Sequence, residues 1–225
     1  MPALNLVLGS ASPARLATLR GAGVTPAVVV SNVDEDAVLA AARERFGKLA
    51  PEDAVLVLAQ AKAESVAAFV ANREADNHHS DLVVGCDSML EIDGEVLGRP
   101  ADVAEAVARW QQMRGRSGTL HTGHWLIDLR ESDAGGTGAT IGATSSTICH
   151  FSNLDDDEVA SYVATGEPLR VAGAFTVDGL GGPYVERIEG DFHGVVGISL
   201  PLLRALLDEI GVPWRDLRSI PTDTA

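Results

Sequence analysis

A serine, an arginine, a lysine and an aspartate in this sequence have the types and settings that phosphate binding and general-base chemistry require. In "LVLGSASPARLATLR", residues 6–20, Ser10 and Arg15 lie between an apolar run and a helical pattern. A turn of that kind presents unpaired backbone N–H groups at the positive end of a helix dipole, which suits a phosphate. Ser10 adds a hydroxyl, and Arg15 adds a planar cation whose donors match phosphate oxygens. The same letters also read as plain capping, with Ser12 at the N-cap and Pro13 at the first helical position. On the turn alone, both readings stay open.

Asp87 ends the run "LVVGCD". Ligands gather at the carboxyl ends of strands in α/β folds, where a carboxylate can hold a divalent cation or accept a proton from water. An aspartate capping the turn into the next strand is the alternative. Cys86 has no basic neighbour in sequence and reads as a small buried hydrophobe. Lys62 and Lys48 are the only lysines among 17 basic residues, so a lysine retained where arginine would serve carries weight. On a helix Lys62 shares a stripe with Val55, Leu58, Ala59, Val66 and Phe69, and a cation there interrupts an apolar face. Snorkelling to the helix edge accounts for many such lysines; here an inward ammonium aimed at an anion is the preferred reading.

Other candidates are weaker. His121 and His124, three apart in a predicted strand, point to opposite faces and make no simple metal pair. His78 and His79 fall in a polar loop and read as solvated. "DDDE" at 155–158 is what a helix dipole favours at its start, and "GLGG" at 179–182 fails the dinucleotide pattern.

The elements that must position these residues interleave. A strand over 4–8 leads into a helix ending near Gly21 and Gly23. A β-type run follows at 27–30, then an acidic loop with Asp34, Glu35 and Asp36, then a long helix over 51–71 that begins with Pro51. The strand at 82–86 precedes "EIDGEVL", whose Asp93 and Gly94 predict a hairpin turn. Asp102 caps a helix to about Met113. Long β-type stretches at 119–129 and 140–151 flank a flexible loop at about 131–139. Helices over about 155–165 and 201–210 and a frayed tail at about 219–225 complete the chain. Strands alternating with helices predict an α/β fold, and the hairpins predict a mixed sheet.

Bulk properties exclude some functions. The chain of 225 residues carries a net charge of −15, which repels a phosphate polymer, so no nucleic-acid partner is expected. Cys86 and Cys149 lack paired spacing, which suits a reducing compartment. No leader and no apolar run long enough to span a bilayer are read, so a cytoplasmic location without a membrane partner is expected.

Taken in order, "GSASPARLATL", "VDED" at 33–36, "AKA" at 61–63, "VVGCDSML", "LGRPAD", "HTG" at 121–123, "YVATGEPLRVAGAF" and "IEGDFHGVVGISLPLL" resemble the Maf family of nucleoside triphosphate pyrophosphatases across nearly the whole chain. The resemblance implies one Maf-like domain over 1–225, an α/β fold of two lobes around a deep cleft, similar to the inosine triphosphate pyrophosphatases, and a homodimer. It implies hydrolysis of a nucleoside triphosphate to monophosphate and pyrophosphate with a divalent metal, Mg or Mn. Carried over by position, Ser10 and Arg15 hold phosphates, Glu35 binds metal or orders the water, and Lys62 and Arg99 neutralise triphosphate charge. Asp87 matches the proton acceptor and shares the metal with Glu35.

The departures concern the base. The branch that prefers thymidine and uridine triphosphates has a second arginine, a threonine, a lysine and a glutamine where this chain has Ala14, Ser88, Arg99 and Asp178. Asp178 puts an anion in place of a neutral amide and bears on base recognition. A weakly catalytic nucleotide-binding regulator of cell division is the alternative reading, and a plain phosphomonoester phosphatase is a third.

Overall fold

Strand β1, Leu6–Gly9, is buried at every residue and runs into helix α1, Pro13–Gly21, across a turn of three residues, Ser10, Ala11 and Ser12. Ser12 caps α1 through a bond from Arg15 N to its hydroxyl, and Pro13 opens the helix, as the capping residues predict. The computed structural model describes residues 4–72 and 80–218. The expectations for His78, His79 and the tail at 219–225 lie outside the described residues.

The remaining elements in chain order are β2 (Ala27–Val28), α2 (Glu35–Phe46), α3 (Pro51–Ala71), β3 (Leu82–Ile92), β4 (Glu95–Leu97), α4 (Val103–Met113), β5 (Ser117–Asp128), β6 (Thr140–Phe151), α5 (Asp156–Ala164), β7 (Val185–Glu189), α6 (Phe192–Val196) and α7 (Leu200–Glu209). They build a mixed seven-stranded sheet in the order β2-β1-β3-β5-β6-β7, with β4 paired to β3. The α/β expectation with a mixed sheet holds: β1 pairs parallel with β2 and β3, while β4 and β7 pair antiparallel with their neighbours.

The chain divides into two compact units, one of residues 1–87, 123–144 and 200–225, the other of 88–122 and 145–199. In the first unit β1 lies in register with the start of β3, Leu6 opposite Leu82 and Gly9 opposite Gly85. Helix α3 packs its backbone against the sheet. A side chain at Gly85 would stand 2.3 Å from the Ala59 carbonyl oxygen, and one at Gly123 would stand 2.4 Å from that of Val55. Only glycine permits that approach. Val55, Leu58, Ala59 and Ala63 are fully buried, but Phe69 is exposed and leaves the stripe that the helical spacing assigned to it.

Two expectations from the sequence need correction here. With 21 residues and a mean hydropathy of 1.6, α3 is long and apolar enough to cross a bilayer by length and composition, contrary to the reading that no run is. Its fully buried residues are satisfied by the protein's own core. The acidic stretch read as a loop is instead the start of α2: Asp34 is the N-cap, accepting from Ala37 N, and Glu35 and Asp36 occupy the first turn. Acids there complement the helix dipole, and the alanine-rich segment that follows extends it.

In the second unit, Asp93 and Gly94 both adopt positive φ, 54° and 80°, and close the predicted β3–β4 hairpin between Ile92 and Glu95. Helices α4 and α5 begin at the capping aspartates Asp102 and Asp155. Trp110, fully buried on α4, meets Phe151, Tyr162 and Tyr184 edge-on, and its indole N–H donates to Ala174 O at 2.8 Å. Each such ring pair adds about 0.5–1.5 kcal/mol beyond burial, so this cluster is the unit's main apolar anchor. The sequence reading did not find β7 or the five-residue α6, both too short to show a period.

Candidate active site

The first unit assembles five of the residues singled out from the sequence. Ser10 follows β1, Arg15 stands in the first turn of α1, Glu35 opens α2, Lys62 lies in the middle of α3, and Asp87 lies in β3. Asp87 is not at a strand end, as its sequence context suggested. β3 runs on to Ile92, and what ends near Asp87 is the pairing with β1, whose last partners are Gly9 and Gly85. The aspartate therefore sits just past the carboxyl end of β1, beside the turn that carries Ser10. The topological argument for a ligand site survives through the neighbouring strand.

Lys62 binds this arrangement together. Its ammonium is 2.6 Å from Asp87 Oδ1 and 2.7 Å from Glu35 Oε1, with the lysine side chain only 12% exposed and that of Asp87 11%. The inward reading of Lys62 holds. Gly85 lets α3 approach β3 closely enough for this contact, since any larger residue would displace the turn of helix carrying Ala59 and Ala63.

The turn is tied to the same strand. Arg15 Nη1 donates to Ser10 Oγ and to Cys86 O, both at 2.9 Å, and Ser12 N donates to Ser10 Oγ at 3.2 Å. Ser10 thus accepts two hydrogen bonds and keeps its hydroxyl hydrogen to give, which suits an incoming phosphate oxygen. Ser12 and Pro13 shape the helix start, while Ser10 and Arg15 face the strand end. The capping reading of the turn holds for Ser12 and Pro13.

Burial raises the Asp87 carboxyl above its ordinary range, against the lowering effect of Lys62 and Arg15; Glu35 adds to the rise. Cys86 is fully buried and its thiol is pushed up to about 11, which makes it inert, as expected from its sequence setting.

Arg99 and Asp178 belong to the second unit and are exposed. Arg99 lies between β4 and α4, in a segment held by Arg109, which donates to Gly98 O and Glu105. His121 bonds Ser146 Oγ at 2.8 Å and Glu91 at 3.0 Å, and His124 is fully buried in the other unit. Sequence reasoning missed three polar anchors: Arg109, Asp128 and Glu167. Arg109 left a trace, being four residues after Glu105 on the face that carries Ala106, Trp110 and Met113. The other two gave no local signal.

Glu35 and Asp87 offer hard oxygen donors of the kind that magnesium and manganese prefer. Among the described residues no group of three or more His, Cys, Asp or Glu side chains is gathered for a metal. Two carboxylates, one of them half exposed, fit a cation that completes its shell with phosphate oxygens and water, as magnesium commonly does.

Residues 5–210 match the family model described as Maf-like protein. The chain is 53% identical over 221 residues to a nucleoside triphosphate pyrophosphatase of Salinispora tropica, covering 98% of this chain and 90% of the relative. It is 50% identical over 216 residues to a protein of the same name from Streptomyces coelicolor, covering 96% and 95%. A solved nucleoside-triphosphatase (dITP/XTP pyrophosphatase) from Mycobacterium abscessus aligns over 92% of this chain and 95% of its own at 14% identity, with a TM-score of 0.36. With a family model spanning almost its whole length and relatives at half identity end to end, the chain belongs to the Maf-like family.

Proposed function

We propose that this protein hydrolyses nucleoside triphosphates to nucleoside monophosphate and pyrophosphate by attack of water on the α-phosphorus. One observation carries the reading: the Lys62 ammonium held between Asp87 and Glu35, beside a turn where Ser10 and Arg15 are poised for phosphate oxygens. The full-length relatives named nucleoside triphosphate pyrophosphatase support it.

The chemistry assigns each group a task. Asp87 takes the proton of the attacking water, and its raised proton affinity brings it closer to the working pH than an ordinary carboxylate. As the new P–O bond forms, the bond from the α-phosphorus to the bridging oxygen breaks, and pyrophosphate departs. Ser10 donates to a phosphate oxygen, Arg15 neutralises charge, and Lys62 stabilises the charge that develops on phosphate while orienting Asp87. Arg99 and Asp178 are assigned to the triphosphate and the base by the family pattern. Glu35 and Asp87 would hold the divalent cation, Mg or Mn, which supplies charge neutralisation on the phosphates.

The test is a panel of common and modified triphosphates, with Mg or Mn, assayed for pyrophosphate and orthophosphate. Pyrophosphate with matching monophosphate is expected. Orthophosphate as the sole product would overturn the reaction type and favour the phosphatase reading. Calorimetric binding of triphosphates with no product after hours would favour the regulatory one.

A further inference from the structure

Lys62 already does for Glu35 and Asp87 what a divalent cation would do. Its ammonium stands 2.6 Å from Asp87 Oδ1 and 2.7 Å from Glu35 Oε1, so one positive charge bridges the two carboxylates within the first unit. Any cation bridged by the same pair must share their oxygens with the ammonium or displace it. Sharing is unfavourable, because an ammonium repels a dication twice as strongly as it repels a single charge at the same separation. With the lysine and aspartate side chains largely buried, salt screens that repulsion little.

Charge balance points the same way. The charged groups that act on Asp87 are Lys62, Arg15 and Glu35. With Asp87 ionised they make two cations facing two anions, and a dication entering alone leaves the group with an excess of positive charge. A metal–triphosphate complex does not, because the triphosphate carries more negative charge than the metal carries positive.

Lys62 also has the means to move. Lysine places a point charge on a flexible four-carbon stem, and two of its three donors are engaged by the carboxylates. Arg15 is held by Ser10 Oγ and the Cys86 carbonyl, both at 2.9 Å. Of the two cations, the lysine is the one whose tether lets it follow a phosphate oxygen.

We propose that Lys62 excludes free divalent metal from the Glu35–Asp87 pair and yields the pair only when its ammonium is drawn onto a phosphate oxygen. The site then takes the metal–triphosphate complex and not the metal alone. This rests on the reading of Glu35 and Asp87 as the metal-holding pair. It narrows the substrate to a polyphosphate that arrives with its cation, and a metal ion without a polyphosphate leaves the ammonium in place.

Two measurements on the full chain test this, and neither needs turnover. In the first, binding of manganese alone is followed by electron paramagnetic resonance in the unaltered protein, in Lys62→Met and in the Glu35→Gln/Lys62→Met double variant. Affinity should be about tenfold or more higher in Lys62→Met than in the unaltered protein, and the double variant should lose the gain. The second exploits the presence of only two lysines, of which Lys48 is exposed in the segment between α2 and α3. Protein isotopically labelled at the lysine Cε gives one NMR signal for each, and it decides the matter alone should Lys62→Met fail to fold. Magnesium alone should leave the Lys62 signal in place, magnesium with inorganic triphosphate should move it, and Lys48 should move in neither case.

Equal manganese affinity in the unaltered protein and Lys62→Met, a gain that survives in the double variant, or a Lys62 signal moved by magnesium alone would each overturn the proposal. Manganese bound equally with and without Lys62, and lost with Glu35, would keep the carboxylate pair as the metal site and remove Lys62 as its guard. Orthophosphate as the sole product, with both binding results as expected, sinks the reaction reading instead and leaves the exclusion of free metal standing.

Discussion

Two aspartates buried in the same unit are treated in opposite ways. Asp128, at the end of β5, has a side chain with no exposure and accepts five bonds: Arg130 N at 3.2 Å, Arg130 Nε at 2.8 Å, Arg130 Nη2 at 2.8 Å, Thr137 N at 2.8 Å and Thr137 Oγ1 at 2.7 Å. Burial alone would raise its proton affinity, but these bonds prevail and bring it down to about 2. Asp87 is nearly as buried, yet the hydrogen bond described to its carboxylate is the one from Lys62, and its proton affinity goes up. The saturated carboxylate closes the loop after β5; the other has its proton affinity raised by burial. Burial is common to both, so among the described residues it is the set of donors that separates their proton affinities.

The comparison breaks first at Asp87. Asp87→Asn removes a desolvated charge while Lys62 keeps Glu35 as partner, so the melting temperature should hold or rise while kcat falls about 10³-fold, the middle of the range for a general base. Steady-state pyrophosphate release and a thermal melt decide it, and an unchanged kcat would remove Asp87 from the mechanism. Asp128→Asn should do the reverse. It leaves the buried Arg130 without its anion and should cost about 3 kcal/mol in denaturant unfolding, with kcat kept at a temperature where the variant is folded.

Acid sharpens the contrast. Asp128 has a folded value of about 2 against an unfolded value near ~3.9, so its contribution is present above that unfolded value and is lost as pH falls toward 2. About 2 kcal/mol should disappear between pH 5 and pH 2, and the fall should be shallower in Asp128→Asn when unfolding is followed over that range. The last effect is read from the pH profile alone and belongs to Lys62. Because its charge lowers the proton affinity of Asp87, Lys62→Met should move the acid limb of kcat/KM upward. The unaltered protein's limb should already lie above the ordinary carboxylate range. A limb that moved downward would contradict the assignment of Asp87 as the base.

Legibility in the sequence followed the range of the interaction. The α1 cap at Ser12, the full extent of α3 and the Asp93–Gly94 hairpin depend on neighbours within a few positions, and all were read correctly. α2 was missed because its acidic start resembles a loop to anyone counting charges, although Asp34 and the acids after it satisfy a helix N-terminus. Asp87 was placed at a strand end because the apolar run stops there, whereas β3 continues through Ser88 to Ile92 in partly polar residues.

What the sequence by itself determined is the set of local elements and the presence of a lone inward lysine, together with a family pattern long enough to name the chemistry. Periodicity and capping are short-range, and a cation in an apolar helical stripe can be seen without knowing its partner. Only the tertiary structure decided which anions that lysine meets, 25 positions away in Asp87 and at the head of α2 in Glu35. It alone decided which donors reach Asp128 and which reach Asp87. A carboxylate's chemistry is set by the donors packed around it, and those donors come from segments that only folding brings together.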